Sequence, residues 1–440
     1  MKIRVFGQFV ILAVMVGLFG LCAWGQDTTA PRLAPIIPDP EILKRTPVMD
    51  GIVSPGEWDR FQAFTAGDWQ VSSYINWDSK NLYMAVSSSK PCDAMLLVDA
   101  NDDGWFHGED NYEFRAIRQA DGSLLKQVLR YESRNTTTIT PTLVSENESS
   151  QVEMKTTTVN GITCIEWRIP EYLIRDFKLV DGKKIGLQIA VRTGTDENSW
   201  VPDSVRADTK QCVKSTLVTR KWSALAPLVI NFGIRDPRVA RGEDVTALLQ
   251  LSNPGTQTVD VKAITLAGDG ASAGYLDSLQ KRAEGLAPKK IIKEDMQGSI
   301  PKSMPLGTWV IGTEIRSGDQ KLGAALASFD VLDQFESELR LPKGDVITNS
   351  DEVTISVMIK NNMRKPLWGK VKVTLPLGWE LRRGIDMREY TIRTRNGETA
   401  VLFKVKPPIG ALGVIPVKAE VTGEDSKQVL EGTFKVVTPR

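Results

Sequence analysis

The chain has 440 residues, a length that suggests about three domains. Its 55 basic and 54 acidic residues nearly cancel to a formal net charge of +1, so no basic field exists to attract nucleic acid. A hydrophobic share of 41% is enough for ordinary globular cores.

The N-terminus reads as an address. Lys2 and Arg4 precede an uncharged apolar run that ends near Ala23. Ala23-Trp24-Gly25 puts small residues at the two positions a signal peptidase reads. This predicts a signal peptide over 1–25 and export to a periplasm, a cell surface or the medium. The alternative is an uncleaved anchor, since the charge-free run is nearly long enough to span a bilayer. A lipoprotein fits less well, because Leu21 directly precedes Cys22. Residues 26–45, rich in Pro and polar residues, read as a linker.

From 46 to 225, short alternating apolar runs are separated by Gly, Asp, Asn and Ser clusters and read as strands. Long helical periodicity is absent, and one helical turn is expected after Ser54-Pro55-Gly56-Glu57. Cys92, Cys164 and Cys212 all fall in this region. An exported protein permits one disulfide among three thiols, and whether Cys164 takes Cys92 or Cys212 is open. No CxxC spacing suggests zinc.

The segment from Asp99 to Asp110 carries the most specific spacing. Oxygen-bearing Asp99, Asn101 and Asp103 occupy its first, third and fifth positions, Gly104 the sixth and Asp110 the twelfth. This is the spacing of a calcium loop of the EF-hand kind, with Asp in place of the usual closing Glu. The flanks, Met95-Leu96-Leu97-Val98 and Tyr112 to Ile117, read as strands, so the expectation is a strand–loop–strand Ca2+ site. The competing reading is a solvated acidic hairpin turn.

Met49-Asp50-Gly51 leads to Glu57-Trp58, Trp77-Asp78 leads to Leu82-Tyr83, the acidic loop precedes Glu113, and Glu166-Trp167-Arg168-Ile169-Pro170 comes last. In this order the four segments resemble those of carbohydrate-binding module family 9 and its DOMON-like relatives. The resemblance implies a β-sandwich over 46–225 that binds glycan and carries calcium. Of seven tryptophans here, Trp58, Trp77 and Trp167 sit in the shared motifs and are expected in the core. Trp105 and Trp200, then Trp69, are the candidates for exposed sugar stacking, with Asn111, Arg115 and Arg192 as polar partners.

Residues 226–333 and 334–440 form an internal pair. Glu243-Asp244-Val245-Thr246 leads to Asn253 as Asp351-Glu352-Val353-Thr354 leads to Asn361. Such a repeat predicts two immunoglobulin-like sandwiches, without the Cys…Trp…Cys pattern of antibody domains. They resemble accessory modules of bacterial extracellular carbohydrate-active proteins. The fold class expected is therefore all-β, three tandem β-sandwiches after a signal peptide.

One histidine, His107, restricts catalysis. It lies inside the acidic loop, and no GxSxG elbow, GxGxxG or P-loop accompanies it, so neither a catalytic triad nor a nucleotide partner is indicated. Met84, Met95 and His107 make unpersuasive haem ligands. The expectation is a secreted, non-enzymatic glycan or polysaccharide binder. The alternatives are a surface adhesion protein that contacts other proteins, and a glycoside hydrolase drawing on Glu109, Asp110 and Glu113.

Overall fold

The computed structural model describes residues 40–66, 68–104, 108–119, 121–131, 141–194, 200–201, 212–342, 346–347, 352–408 and 410–437. The signal peptide expected over 1–25 lies outside them, as do Trp105 and His107. Among the described residues no helix is long and apolar enough to cross a membrane. The chain is all-β.

The first sandwich has twelve strands among the described residues: β1 (Glu41–Leu43), β2 (Arg60–Ala66), β3 (Trp69–Trp77), β4 (Asn81–Ser88), β5 (Asp93–Asp99), β6 (Asn111–Arg118), β7 (Leu124–Tyr131), β8 (Pro141–Leu143), β9 (Glu153–Val159), β10 (Ile162–Pro170), β11 (Lys184–Arg192) and β12 (Val213–Val218). A seven-stranded sheet ordered β1-β12-β11-β5-β6-β7-β8 packs on a five-stranded sheet ordered β2-β3-β4-β10-β9. Side chains alternate along each strand, and the inward set fills one core. It includes Ile75 and Trp77 of β3, Met84 and Val86 of β4, Leu96 and Val98 of β5, Phe114 of β6, Trp167 of β10 and Leu187 of β11. Central strand β5 is buried along its whole length, which is why it reads as a continuous apolar run.

Local differences from the sequence reading have local causes. Ile42 and Leu43 are apolar and buried, so β1 forms inside the expected 26–45 linker and pairs in parallel with β12. Residues 55–57 make a turn rather than a helix, with Glu57 N–H donating to Ser54 O at 3.3 Å. A short helix, α1 (Glu146–Ser150), stands where none was expected, capped by the reciprocal Ser145–Glu148 box. The first strand of the second sandwich already begins at Arg220, ahead of the boundary expected at 225.

That second sandwich pairs a six-stranded with a three-stranded sheet, and the third a four-stranded with a five-stranded sheet, among the described residues. Each has its own core. The internal repeat has a structural meaning at its asparagines. Buried Asn253 Nδ2 donates to Gln257 O at 2.7 Å and Leu286 O at 2.8 Å. Buried Asn361 Nδ2 donates to Lys365 O at 2.9 Å and Thr394 O at 3.3 Å. Each amide satisfies carbonyls at the same two sequence offsets, four and thirty-three residues on.

The first two sandwiches are clamped together. Lys44 Nζ bonds Asp330 at 2.8 Å, Lys221 Nζ bonds Asp59 at 2.9 Å, and buried Arg45 bonds Asp269 at 2.6 Å. Gly56 and Gly270 meet so closely that a Cβ on Gly270 would overlap the Gly56 carbonyl. The three cysteines occupy separate layers. Cys92 belongs to the core between the sheets. Cys164 alternates with core-facing Ile165 and so lies on the outer side of the five-stranded sheet. Cys212 packs on the outer side of the seven-stranded sheet. All three are free thiols, and the one disulfide that export would permit does not form among them.

Candidate functional site

The motif residues come together first in a structural role. The segment 48–58 straps over the outer face of the five-stranded sheet, where Met49 and Val53 pack on Trp58, Tyr83 and Ala85. Two buried carboxylates hold it down. Glu57 accepts from the backbone N–H of Val48, and from that of Ser54 at 3.4 Å. Glu166 Oε2 accepts from Gly51 N–H at 2.7 Å. Gly51 is required there: its φ is +88°, and a Cβ would stand 2.6 Å from Thr157 Oγ1. Burial pushes the Glu166 carboxyl up to about 7, with Asp50 and Glu57 adding repulsion. Trp58, Trp77 and Trp167 are buried, as expected.

The acidic loop joins β5 to β6 as a strand–loop–strand turn, with Asp99 opposite Asn111. Asp102 and Gly104 have φ of +59° and +79°, which curls the chain at the expected sixth position. Asp99, almost wholly buried, accepts from Asp102 N–H at 2.8 Å and Gly104 N–H at 3.0 Å. Burial raises its carboxyl above the usual range, and Asp103 and Asp110 push the same way. Exposed Asn101 and Asp103 bond each other at 3.1 Å. Among the described residues no three acid, His or Cys side chains converge tightly enough to hold a metal, and 105–107 of the loop lie outside them. At the loop's end Glu109 forms an ion pair with Arg175.

From this loop the outer face of the seven-stranded sheet runs back along the strands. The alternation that sends Leu96 and Phe114 inward sends Met95, Leu97 and Asp99 of β5 outward, beside Asn111, Glu113 and Arg115 of β6 and Gln188 and Arg192 of β11. Gln188, Leu97, Glu113 and Leu129 lie in one cross-strand row. Glu113 pairs with Arg115 and accepts from Tyr131 Oη at 3.0 Å. Arg192 Nε donates to Asp93 at 2.7 Å, and its guanidinium stacks 4.5 Å over the Trp200 ring. Both amide atoms of Gln188 and the indole Nε1 of Trp200 are buried with no hydrogen-bond partner among the described residues.

The structure therefore gathers Asn111, Arg115, Arg192 and Trp200 on one face with Asp99, but their exposure is not the expected one. Trp200 is 2% exposed, sealed against Met95, Leu97 and Tyr131. Its ring removes those apolar groups from water, which an outward-pointing ring would not do. Trp69 lies in the core, edge-on to Phe64 at 6.4 Å, with Nε1 donating to Ser88 Oγ at 2.7 Å. Neither is an open stacking platform. Asn111 and Arg115 are buried as well. Sequence reasoning named Glu113 only as a candidate hydrolase carboxylate, and missed Tyr131 and Gln188 altogether. The period-two alternation of β6 and β11, phased on their apolar residues, would have found Glu113 and Gln188.

No family model matches the chain, and no curated protein matches it. Among solved structures it is similar to a carbohydrate binding module family 9 from Caldicellulosiruptor kristjanssonii in complex with cellotriose, at TM-score 0.31 and 15% identity, covering 43% of this chain and 98% of that one. It is also similar to red sea bream transglutaminase, at TM-score 0.28 and 11% identity over 79% of this chain and 57% of that one. A third neighbour is activated alpha-2-macroglobulin of Escherichia coli, at TM-score 0.21 and 11% identity, where the match spans 88% of this chain and 35% of that one.

Proposed function

We propose that this is an exported carbohydrate-binding protein that performs no covalent chemistry. A sugar is recognised on the outer face of the seven-stranded sheet, and calcium orders the 99–110 loop beside it. The observation that carries the reading is Gln188: a buried amide with neither atom paired among the described residues, in a row with Glu113 on the face that also carries Arg192 and Trp200. An unpaired buried amide costs about 1–3 kcal/mol, and sugar hydroxyls, which donate and accept, would satisfy it. Entry requires the Trp200 segment to lift. Among the described residues it is tied to β11 by the Val191–Val201 bridge, with hydrogen bonds of 3.0 and 2.8 Å. Asp99, Asn101, Asp103 and Asp110 would supply calcium with hard oxygen ligands. The second and third sandwiches act as spacers or docking modules.

The burial of Trp200 also favours a second reading, a surface protein whose sandwiches contact other proteins. Exposed Leu377, Leu412 and Val414 on the third sandwich are consistent with it. A glycan array probed with the full chain, in calcium and again with chelator, separates the two. Binding to neutral glycans that weakens in chelator supports carbohydrate recognition, and a blank array for the folded, calcium-loaded chain supports the protein-contact reading.

A further inference from the structure

An open aromatic does exist on the first sandwich, away from the sheet face. Tyr172 is 70% exposed, on the one-turn 3-10 helix Glu171–Leu173 that follows β10. Its position is fixed from both sides. Glu171 N–H donates to Lys80 O at 2.8 Å, and the Glu171 carboxylate accepts from Leu179 N–H at 2.8 Å and Lys178 Nζ at 2.7 Å. Ile174, 2% exposed, anchors the turn in the core. The phenol donates to Gln151 Oε1 at 2.9 Å, which restrains the ring. An exposed ring ordered in advance loses little conformational entropy on binding.

Two shallow clefts, of about 370 and 470 Å³, meet at Tyr172 and Gln151. Asn147 and Arg175 line one, and Asn81 and Arg168 the other. The flanking groups are amides, which donate and accept, and guanidinium groups, which donate through a planar fork that matches vicinal hydroxyls. The three arginines are already matched, and Lys80, exposed at the edge of the second cleft, shares that cleft with Glu171. Arg175 pairs with Glu109, Arg168 with Glu153, and Arg130 approaches Glu148 at 3.7 Å. To reach the arginines an anionic ligand would have to displace these carboxylates, and at Lys80 it would face Glu171 of the same cleft, whereas a neutral polyhydroxylated ring could stack its C–H face on the phenol and leave them in place.

We propose that Tyr172 and the two clefts that meet at it form a second binding site, for a neutral oligosaccharide running across the ring. The site rests on the carbohydrate reading above but not on the sheet face. The test is calorimetric titration of the full chain with cellohexaose, xylohexaose and mannohexaose, and with the acidic hexamer of galacturonic acid. Tyr172→Ala is expected to bind its preferred neutral hexamer about ten-fold more weakly. Tyr172→Phe, which keeps the ring and loses the bond to Gln151, is expected to bind within about two-fold of the parent. Thermal unfolding of both variants should match the parent, because the side chain lies on the surface. Equal binding by Tyr172→Ala, or preference for the acidic hexamer, overturns the proposal. Arg192→Ala, on the sheet face, tells the two sites apart. If it leaves hexamer binding intact while Tyr172→Ala removes it, the sheet-face reading fails and the Tyr172 site stands. If Arg192→Ala alone abolishes binding, the Tyr172 site fails. If the parent chain binds none of the hexamers, both fail.

Discussion

Replacing Glu166 by Gln should change how stability depends on pH more than stability itself. The wild-type carboxyl is fully buried and accepts from the Gly51 N–H, while its other oxygen has no partner among the described residues. Its pKa rises from 4.5 to about 7 in the folded chain, because burial and then Asp50 and Glu57 disfavour the charge. The folded state therefore holds the proton more tightly than the unfolded state. The stabilisation is full below pH 4.5 and is lost as pH rises through about 7. The difference of some two and a half units corresponds to about 3 kcal/mol at most. Gln keeps an acceptor for Gly51 N–H and cannot ionise. Glu166→Gln should match the wild type near pH 4 and exceed it near pH 8 by up to about 3 kcal/mol, or roughly 6–12 °C in the transition of a sandwich this size. The assay is scanning calorimetry of the full chain in chelator-containing buffer, because three separate cores need not unfold together. Parallel pH profiles for the two proteins, or an equal loss in the variant at both pH values, would refute the assignment of this carboxyl.

Gln188→Met removes the unpaired buried amide at nearly constant volume, so it should raise stability by about 1–2 kcal/mol and abolish sugar binding together; denaturant melts and titration of one preparation check both. Arg45→Ala removes the buried link between Asp269 and the Gly56 carbonyl, and should cost about 2–3 kcal/mol and separate the unfolding of the first two sandwiches; superimposable calorimetric profiles would contradict this. Asp99→Asn takes one charge from the loop proposed to hold calcium, so any rise in melting temperature that calcium gives the parent should shrink or vanish; an unchanged rise would place calcium elsewhere.

The strands of the first sandwich were legible because their alternation is regular and Gly, Asp and Asn clusters separate them. The repeat in the C-terminal half was legible because Asn253 and Asn361 perform the same carbonyl-capping task. β1 was hidden by its polar, Pro-rich surroundings, which outweighed its two buried apolar residues. Exposure was the least readable property. Trp200 follows a polar stretch and reads as surface, yet the apolar outward faces of Met95 and Leu97 cover themselves with it. Tyr172 follows the motif that ends at Pro170 and carries no sequence signal of its own, and the turn after Pro170 leaves it exposed. Sequence fixes which face of a strand a side chain takes, while the packing of a loop over that face depends on contacts remote in sequence.

The most direct test of the account is the indole N–H region of a proton–nitrogen correlation spectrum of the full chain, with the Trp200 and Trp69 signals assigned through Trp200→Phe and Trp69→Phe. Cellotriose and the other neutral oligosaccharides are added stepwise in calcium. Recognition on the sheet face predicts that the Trp200 signal, whose Nε1 has no partner, moves with saturating dependence, while the Trp69 signal, tied to Ser88 Oγ at 2.7 Å, stays. Saturable sugar binding that leaves Trp200 unmoved would contradict the account.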